Sequence, residues 1–499
     1  MSSDKNNNVK KLSLTALILM IFTSVYGFNN MPRSFYLMGY GAIPFYIISA
    51  IIFFIPFAFM MAEYGAAFRH EKGGIYSWME KSVGSRYAFV GTFMWYSSAV
   101  IWMVNTSSGL WIPISNAIFG SDTTANWKIF GLSSTQTLGI LGMLWIIFVC
   151  FVSTKGLDKI KKITSIGGTA VALLNILLIL GALAVLIGNK GQLAEPIVNV
   201  SSFIKSPNPS YGSSIAMFSF LVYAIFAYGG IEVVGGLVDQ TEKPEKNFPK
   251  GITVAAIIIA VGYSVGIFCI GIFTNWSTIL SPETVHKANV GYVVMNNLGY
   301  QLGNAFGATQ STSIQIGNWI ARFVGLSMLL ALTGAFFTMT YAPLKQLIQG
   351  SPKGLFPEKF VKMNNGIPIN AMIIQAMVVI IIILLVSFGG QSVSKFFDIL
   401  VAMTNVAMTI PYMFLAIAFI SFKRKEEIQK PFEIFRGRTF ILIVSIIVTA
   451  TVGFANIFSI IEPAIHGDIA TTLWSVAGPL IFSAIALLMF SRYEKKKSV

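Results

Sequence analysis

Long runs free of Asp, Glu, Lys and Arg dominate the chain: 12–32, 34–62, 87–121, 129–154, 163–189, 206–231, 251–282, 288–321, 323–344, 363–394, 399–422, 439–461 and 469–491. A helix needs about 20 mainly apolar residues to cross the hydrocarbon of a bilayer, and each of these thirteen runs is long enough. The run 288–321 differs in kind, being rich in Asn, Gln, Ser and Gly without a sustained apolar stretch. It is expected to be a loop with at most a short surface helix, within a long outer loop over 275–316. The other twelve are expected to be transmembrane helices, numbered here as spans 1 to 12 in chain order. An even count returns both termini to one side. The fold class expected is thus an all-α membrane protein.

Two of the spans are interrupted. Span 1 contains Val25-Tyr26-Gly27-Phe28-Asn29-Asn30-Met31-Pro32, and span 6 runs through Phe226-Ala227-Tyr228-Gly229-Gly230-Ile231 to Glu232. A lipid-exposed helix cannot leave backbone groups unpaired, so breaks of this kind point to a cavity lined by protein. Breaks in the first and sixth spans are the spacing of two five-helix repeats of inverted topology. The repeats are placed at 12–190 and 206–422, with spans 11 and 12 (439–490) as two extra helices. Each unwound stretch frees N–H groups at one half-helix start and C=O groups at the other half-helix end. Together these suit a zwitterion, the carboxylate at the N–H end and the ammonium at the C=O end. The candidate substrate residues are Tyr26, Gly27, Phe28 and Asn29 in span 1, with Phe226, Tyr228, Gly229, Gly230 and Ile231 in span 6. Gly41, Gly235 and Gly236 are read as packing glycines, which membrane helices also use.

Glu232 adds chemistry to this picture. A carboxylate inside a span is costly and marks a cavity or a partner. It is expected to be the coupling or gating group, with no other buried carboxylate competing for the role. The alternative is a structural hydrogen bond to a neighbouring helix. Glu63, at the end of span 2 just before Arg69, is expected to pair with a loop cation, and Arg33 and Arg322 to be anchors reaching for the interface. Trp95 and Trp102 share a helical face of span 3, and Trp102 is a candidate for the pocket wall. Thr404 and Asn405, midway along span 10, either line the route or bond a neighbouring helix.

Composition excludes other classes. The chain is 55% hydrophobic and 11% charged, with mean hydropathy +0.72, whereas soluble domains carry about 25% charged residues. A formal charge of +15 would suggest nucleic acid in a soluble protein. Here 28 of the 35 Lys and Arg residues fall in the segments that are inside if the amino terminus is inside. Only Arg33, Lys128, Lys190, Lys205, Lys287, Arg322 and Lys395 fall elsewhere. Cytoplasmic segments collect Lys and Arg, so both termini are expected in the cytoplasm as short tails, 1–11 and 491–499. The excess charge is then an orientation signal, and no nucleic-acid partner is expected. Span 1 is too long for a signal peptide despite Lys10 and Lys11 before it. Cys150 and Cys269 lie in apolar spans, and His70, His286 and His466 in separate loops, so no disulfide framework, metal site, cofactor or enzyme centre is expected.

Several loop motifs carry a resemblance. They are Ala62-Glu63-Tyr64-Gly65, then Gly73-Gly74-Ile75-Tyr76-Ser77-Trp78, then Gly84-Ser85-Arg86-Tyr87-Ala88-Phe89. Thr241-Glu242-Lys243-Pro244-Glu245-Lys246-Asn247-Phe248-Pro249 follows span 6, and Leu355-Phe356-Pro357 with Asn364-Asn365-Gly366-Ile367-Pro368 follows span 8. In this order the chain resembles the amino acid–polyamine–organocation superfamily, and through Ala227-Tyr228-x-Gly230-x-Glu232 most of all its glutamate/γ-aminobutyrate antiporter subfamily. The resemblance implies a LeuT-like fold with the site at the two breaks, Phe226 at an aromatic gate, and Glu232 on the family's span 6 glutamate. Family members often carry Gly-Ser-Gly where this chain has Val25-Tyr26-Gly27, so Tyr26 would occupy space near the substrate carboxylate. The function implied is a secondary transporter for an amino acid or related zwitterion in a bacterial plasma membrane. Antiport is the first expectation and proton symport the alternative. Its partners would be the substrate, a counter-substrate or proton, and lipid.

Overall fold

The computed structural model describes residues 11–287, 289–364, 366–390, 401–404 and 406–497. Among them the chain is helical, with two isolated bridges and no strand. Ten helical stretches are long and apolar enough to cross a membrane, and the first, Leu14–Ala67, is 54 residues long. That stretch holds spans 1 and 2, which part at a tight turn, Gly39–Gly41. Span 10 is described as a helix over Ile410–Arg424. Large apolar side chains such as Ile51, Phe151, Leu180, Ile381 and Leu488 lie more than half exposed on the outside. An apolar surface of that extent needs lipid against it.

Both breaks are present. The helix Leu14–Val25 stops at Tyr26 and a second helix starts at Asn30. The helix Ser214–Phe226 stops at Ala227, and the chain resumes at Ile231 with the tighter 3₁₀ winding to Gln240. The two interruptions meet. Gly230 has φ of +113°, and a Cβ there would lie 2.3 Å from the carbonyl oxygen of Ser24. Only glycine satisfies both the positive φ and the close approach.

The region 275–316 is not the expected loop. Val290–Ala305 is a helix with much of its length buried, and a 41-residue helix, Gln310–Gly350, already starts at Gln310. The residues that suggested a loop are those that let the two helices touch. A Cβ on Gly299 would lie 2.7 Å from Gly317 Cα, and one on Gly303 would lie 2.4 Å from Ser313 Oγ. Small residues four apart allow such backbone contact between membrane helices. Asn297 donates to the Phe273 carbonyl at 2.7 Å, which satisfies its buried amide. Val290, Val294 and Leu298, four apart, supply the buried apolar stripe.

Glu63 is also placed differently. It is fully buried, so Glu232 is not the one buried carboxylate. Its partner is a cation of the expected kind, Lys423 directly after the charge-free run of span 10, at 2.8 Å, while the Arg69 guanidinium bonds the Ala66 carbonyl. The backbone N–H groups of Ile434 and Phe435 donate to its other oxygen, both at 2.7 Å. Lys423 also reaches Glu433 at 2.6 Å and holds that carboxyl below its ordinary value. One cation thus ties the loop after span 10 to the end of span 2.

Candidate functional site

Tyr263 joins the two breaks. It sits two thirds of the way along the helix Pro244–Phe273 and is fully buried. Its hydroxyl accepts the Gly27 N–H at 3.0 Å and the Asn30 side-chain amide at 3.2 Å. Its own proton faces the carbonyls of Val25 and Ala227, at 3.1 and 3.2 Å. Groups freed by both unwound stretches therefore converge on one phenol. Tyr223, on the first half of span 6, adds a bond from its hydroxyl to Asn30 Oδ1 at 3.2 Å.

Glu232 lies in the first turn after the span 6 break and is fully buried. Its Oε1 accepts from the Trp95 indole at 3.0 Å and from the Tyr412 hydroxyl at 3.1 Å, and its Oε2 accepts from the Gly230 N–H at 3.1 Å. Hydrogen bonds to a charged group contribute about 1.5–3 kcal/mol each, so three of them offset part of the cost of burying a carboxylate. The Gly230 N–H at the cap of this half-helix, one of the groups expected to be free for a substrate carboxylate, is therefore engaged by the protein's own. Glu232 is a structural anchor here as well as a candidate coupling group.

A cavity of about 620 Å³ opens beside the crossing, a volume ordinary for small-molecule sites. Span 1 contributes Thr23 and Ser24, span 6 contributes Phe226, Gly229, Gly230 and Val233, and Trp102 closes one side. Span 10 contributes Val406, Met408, Thr409 and Tyr412. Spans 11 and 12 reach the same wall through Ser459, Glu462, Pro463, Thr471 and Ser475. These two helices, outside the expected repeats, thus contribute to the cavity all the same.

Several expected site residues face elsewhere. Tyr26 does not stand in the cavity. Its hydroxyl occupies the space that a Cβ on Gly262 would fill, and its ring meets Tyr263 edge-on at 4.9 Å. The glycine in span 7 leaves it that room. Gly27 is turned toward Tyr263, and Phe28 is buried in the core. Asn29 lodges against Gly291. Tyr228 stacks on Phe54 at 4.5 Å and donates to the Tyr46 carbonyl, while Ile231 is buried in the core. Thr404 donates to the Val401 carbonyl and is not on the cavity wall. Asn405 lies outside the described residues. Of the expected set, the cavity brings together Phe226, Gly229, Gly230 and Trp102.

Below the crossing a polar network closes the bundle. Gln346 donates to the Val233 carbonyl at 3.1 Å and accepts the Ile75 N–H at 2.9 Å. The Lys345 ammonium, 2% exposed, reaches the Gly236 carbonyl and Asp239, both at 2.7 Å. Leu12 pairs through its backbone with Gln240 and Glu242 at 2.7 and 2.8 Å. Gly73 and Gly74 of the loop motif fit here because a Cβ on either would strike Gly350 or Gln346.

A profile described as amino acid permease matches residues 12–487. The inner membrane transporter YjeM of Escherichia coli is 53% identical over 98% of this chain and 97% of that protein. More distant are an aspartate/glutamate permease, AcaP, of Lactococcus lactis, 24% identical over 84% of this chain and 81% of its own, and a glutamate/gamma-aminobutyrate antiporter of the same species, 22% identical over 98% and 91%.

Proposed function

The chain belongs to the amino acid permease family, a family of membrane transporters rather than enzymes, and on that footing we propose that it is a secondary transporter of the bacterial inner membrane. It moves an amino acid or related zwitterion by alternating access around the crossing of spans 1 and 6. The observation that carries this reading is the cavity at that crossing, walled by the unwound backbone of Gly229 and Gly230 and by the last turn before the span 1 break. Its polar, protein-lined interruption of two apolar spans is the arrangement that alternating-access carriers use.

In this reading the chain crosses twelve times with both termini inside, as two inverted five-span repeats followed by spans 11 and 12. The turn between spans 11 and 12 is then external. The cavity, which reaches Glu462 and Thr471 beside that turn, faces outward, and the Gln346 and Lys345 network is the closed inner side. Inward opening requires that network to part. Antiport is the mode we favour. Proton symport is the second reading, and the burial of Glu232 beside the cavity-lining Tyr412 supports it.

Purified protein in proteoliposomes tests the proposal. Labelled amino acids are expected to enter vesicles loaded with the same or a related amino acid, and faster than they enter empty ones. Absence of flux for every amino acid, with counter-substrate or with a proton gradient, would overturn it.

A further inference from the structure

The charge of the cavity wall narrows the substrate. Glu462 closes the helix Arg438–Ile465 one turn before its end and stands on the wall. Its carboxylate accepts the hydroxyl of Ser219, on the first half of span 6, and has no cation within ion-pair distance among the described residues. The wall carries no Lys, Arg or His among the described residues. The second carboxylate, Glu232, lies just behind it, bonded to two wall residues, Tyr412 and Gly230.

The hydroxyls of the wall point the same way. Thr23 and Ser24 both donate to the Met20 carbonyl, at 2.8 and 3.0 Å. Thr409 donates to the Val406 carbonyl or to Asn456 Oδ1, and Thr471 donates to Asp468 Oδ2 at 2.6 Å. Tyr412 donates to Glu232. A hydroxyl has one proton and two lone pairs. These five have committed the proton to the protein; Tyr412 also accepts the Gly230 N–H at 3.2 Å, and the other four keep lone pairs for the cavity. Ser459 and Ser475 can turn either way. The site is therefore rich in acceptors and poor in donors. An ammonium group, with three donors and no acceptor, finds its partners among these hydroxyls and Glu462, while Leu332, Ala335 and Met339 leave their part of the wall apolar. A side-chain carboxylate finds few donors and meets Glu462 as a like charge in a partly dry site.

We infer that Glu462 is a specificity residue that recognises a second ammonium group on the substrate, so that the cavity takes a basic amino acid or a diamine and rejects acidic amino acids. This rests on the transport reading above and departs from the substrates in the names of the distant relatives. Discrimination comes as much from the repulsion of the wrong ligand as from attraction of the right one.

The test uses the full-length protein in nanodiscs and proteoliposomes, with L-lysine, putrescine, L-leucine and L-glutamate as probes. Wild type is expected to bind lysine or putrescine at least about tenfold more tightly than glutamate. Glu462→Gln, which keeps an acceptor for Ser219, is expected to weaken lysine binding by about tenfold or more while leucine binding shifts less than about twofold. The wild-type ranking needs no variant, so a misfolded Glu462→Gln leaves the inference decidable. Glutamate bound as tightly as lysine, or equal effects of Glu462→Gln on lysine and leucine, would overturn the role of Glu462 while transport stands. No binding and no flux with any probe or amino acid would overturn both.

Discussion

Tyr263 and Gly27 lie 236 residues apart in sequence and share a hydrogen bond of 3.0 Å. The same phenol faces the Ala227 carbonyl at 3.2 Å, so one side chain of span 7 fixes the relative position of two interruptions. Tyr263→Phe keeps the ring and removes the tie. Buried donors and acceptors left without partners cost about 1–3 kcal/mol each. The variant is expected to fold with a lowered melting temperature and to lose at least about tenfold in substrate affinity. Melting curves with and without substrate measure both. A variant with unchanged affinity would show that the two breaks hold their geometry without Tyr263.

Glu232→Gln tests coupling. With its oxygen in the place of Oε1 the amide still accepts from Trp95 and Tyr412, but its NH₂ meets the Gly230 N–H as a donor. In the symport reading this variant keeps counter-substrate exchange at a reduced rate and loses uptake driven by a proton gradient. Equal loss in both assays would assign Glu232 to structure alone. Tyr412→Phe, which removes one of the three donors and a cavity hydroxyl, is expected to fall between wild type and Glu232→Gln.

The long apolar helices, ten stretches of them among the described residues, were legible because a missing charge over 21 or more residues is a strong local signal. The breaks were legible because Gly27, Gly229 and Gly230 interrupt apolar runs. The cavity's partners were not. Tyr263 and Tyr412 are aromatic residues within or beside apolar runs, and nothing local distinguishes them from lipid-facing ones. Their roles depend on how helices cross. Glu462 sits at the edge of a span, where a carboxylate is unremarkable without the helix packing that turns it inward. The helix Val290–Ala305 was hidden for a different reason. Its Gly and Asn residues read as loop by composition, although they serve helix contact.

Gly230→Ala and Gly229→Ala separate crossing from lining. At Gly230 a methyl group meets the Ser24 carbonyl at 2.3 Å and a φ of +113°, whereas at Gly229 its nearest neighbour is the Tyr412 hydroxyl at 2.9 Å. Forbidden backbone costs about 1–3 kcal/mol, and overpacking about as much again, about 1–3 kcal/mol. Gly230→Ala is expected to aggregate or to elute as a broadened peak in size-exclusion chromatography. Gly229→Ala is expected to elute as wild type and to bind substrate several-fold more weakly. Wild-type behaviour of Gly230→Ala would mean that the two broken spans do not approach so closely.

Lys423 carries a prediction with a pH arm. Lys423→Met strands the fully buried Glu63 with two backbone donors and no cation. Breaking a buried pair from one side costs about 3–5 kcal/mol, so a large drop in melting temperature is expected at neutral pH. Lys423 also lowers the Glu433 carboxyl below its ordinary value of 4.5. A depressed carboxyl contributes stability that is present above its unfolded value and is lost as pH falls through the folded one. That share therefore disappears below the ordinary carboxylate range, and solvent screening keeps it small. Melting temperatures measured from about pH 3 to pH 7 should show wild type losing stability at the acid end. Lys423→Met should start lower and change less from its Glu433 arm. Equal melting temperatures for the two proteins at pH 7 would show that the loop is held by the Ile434 and Phe435 N–H bonds without the cation.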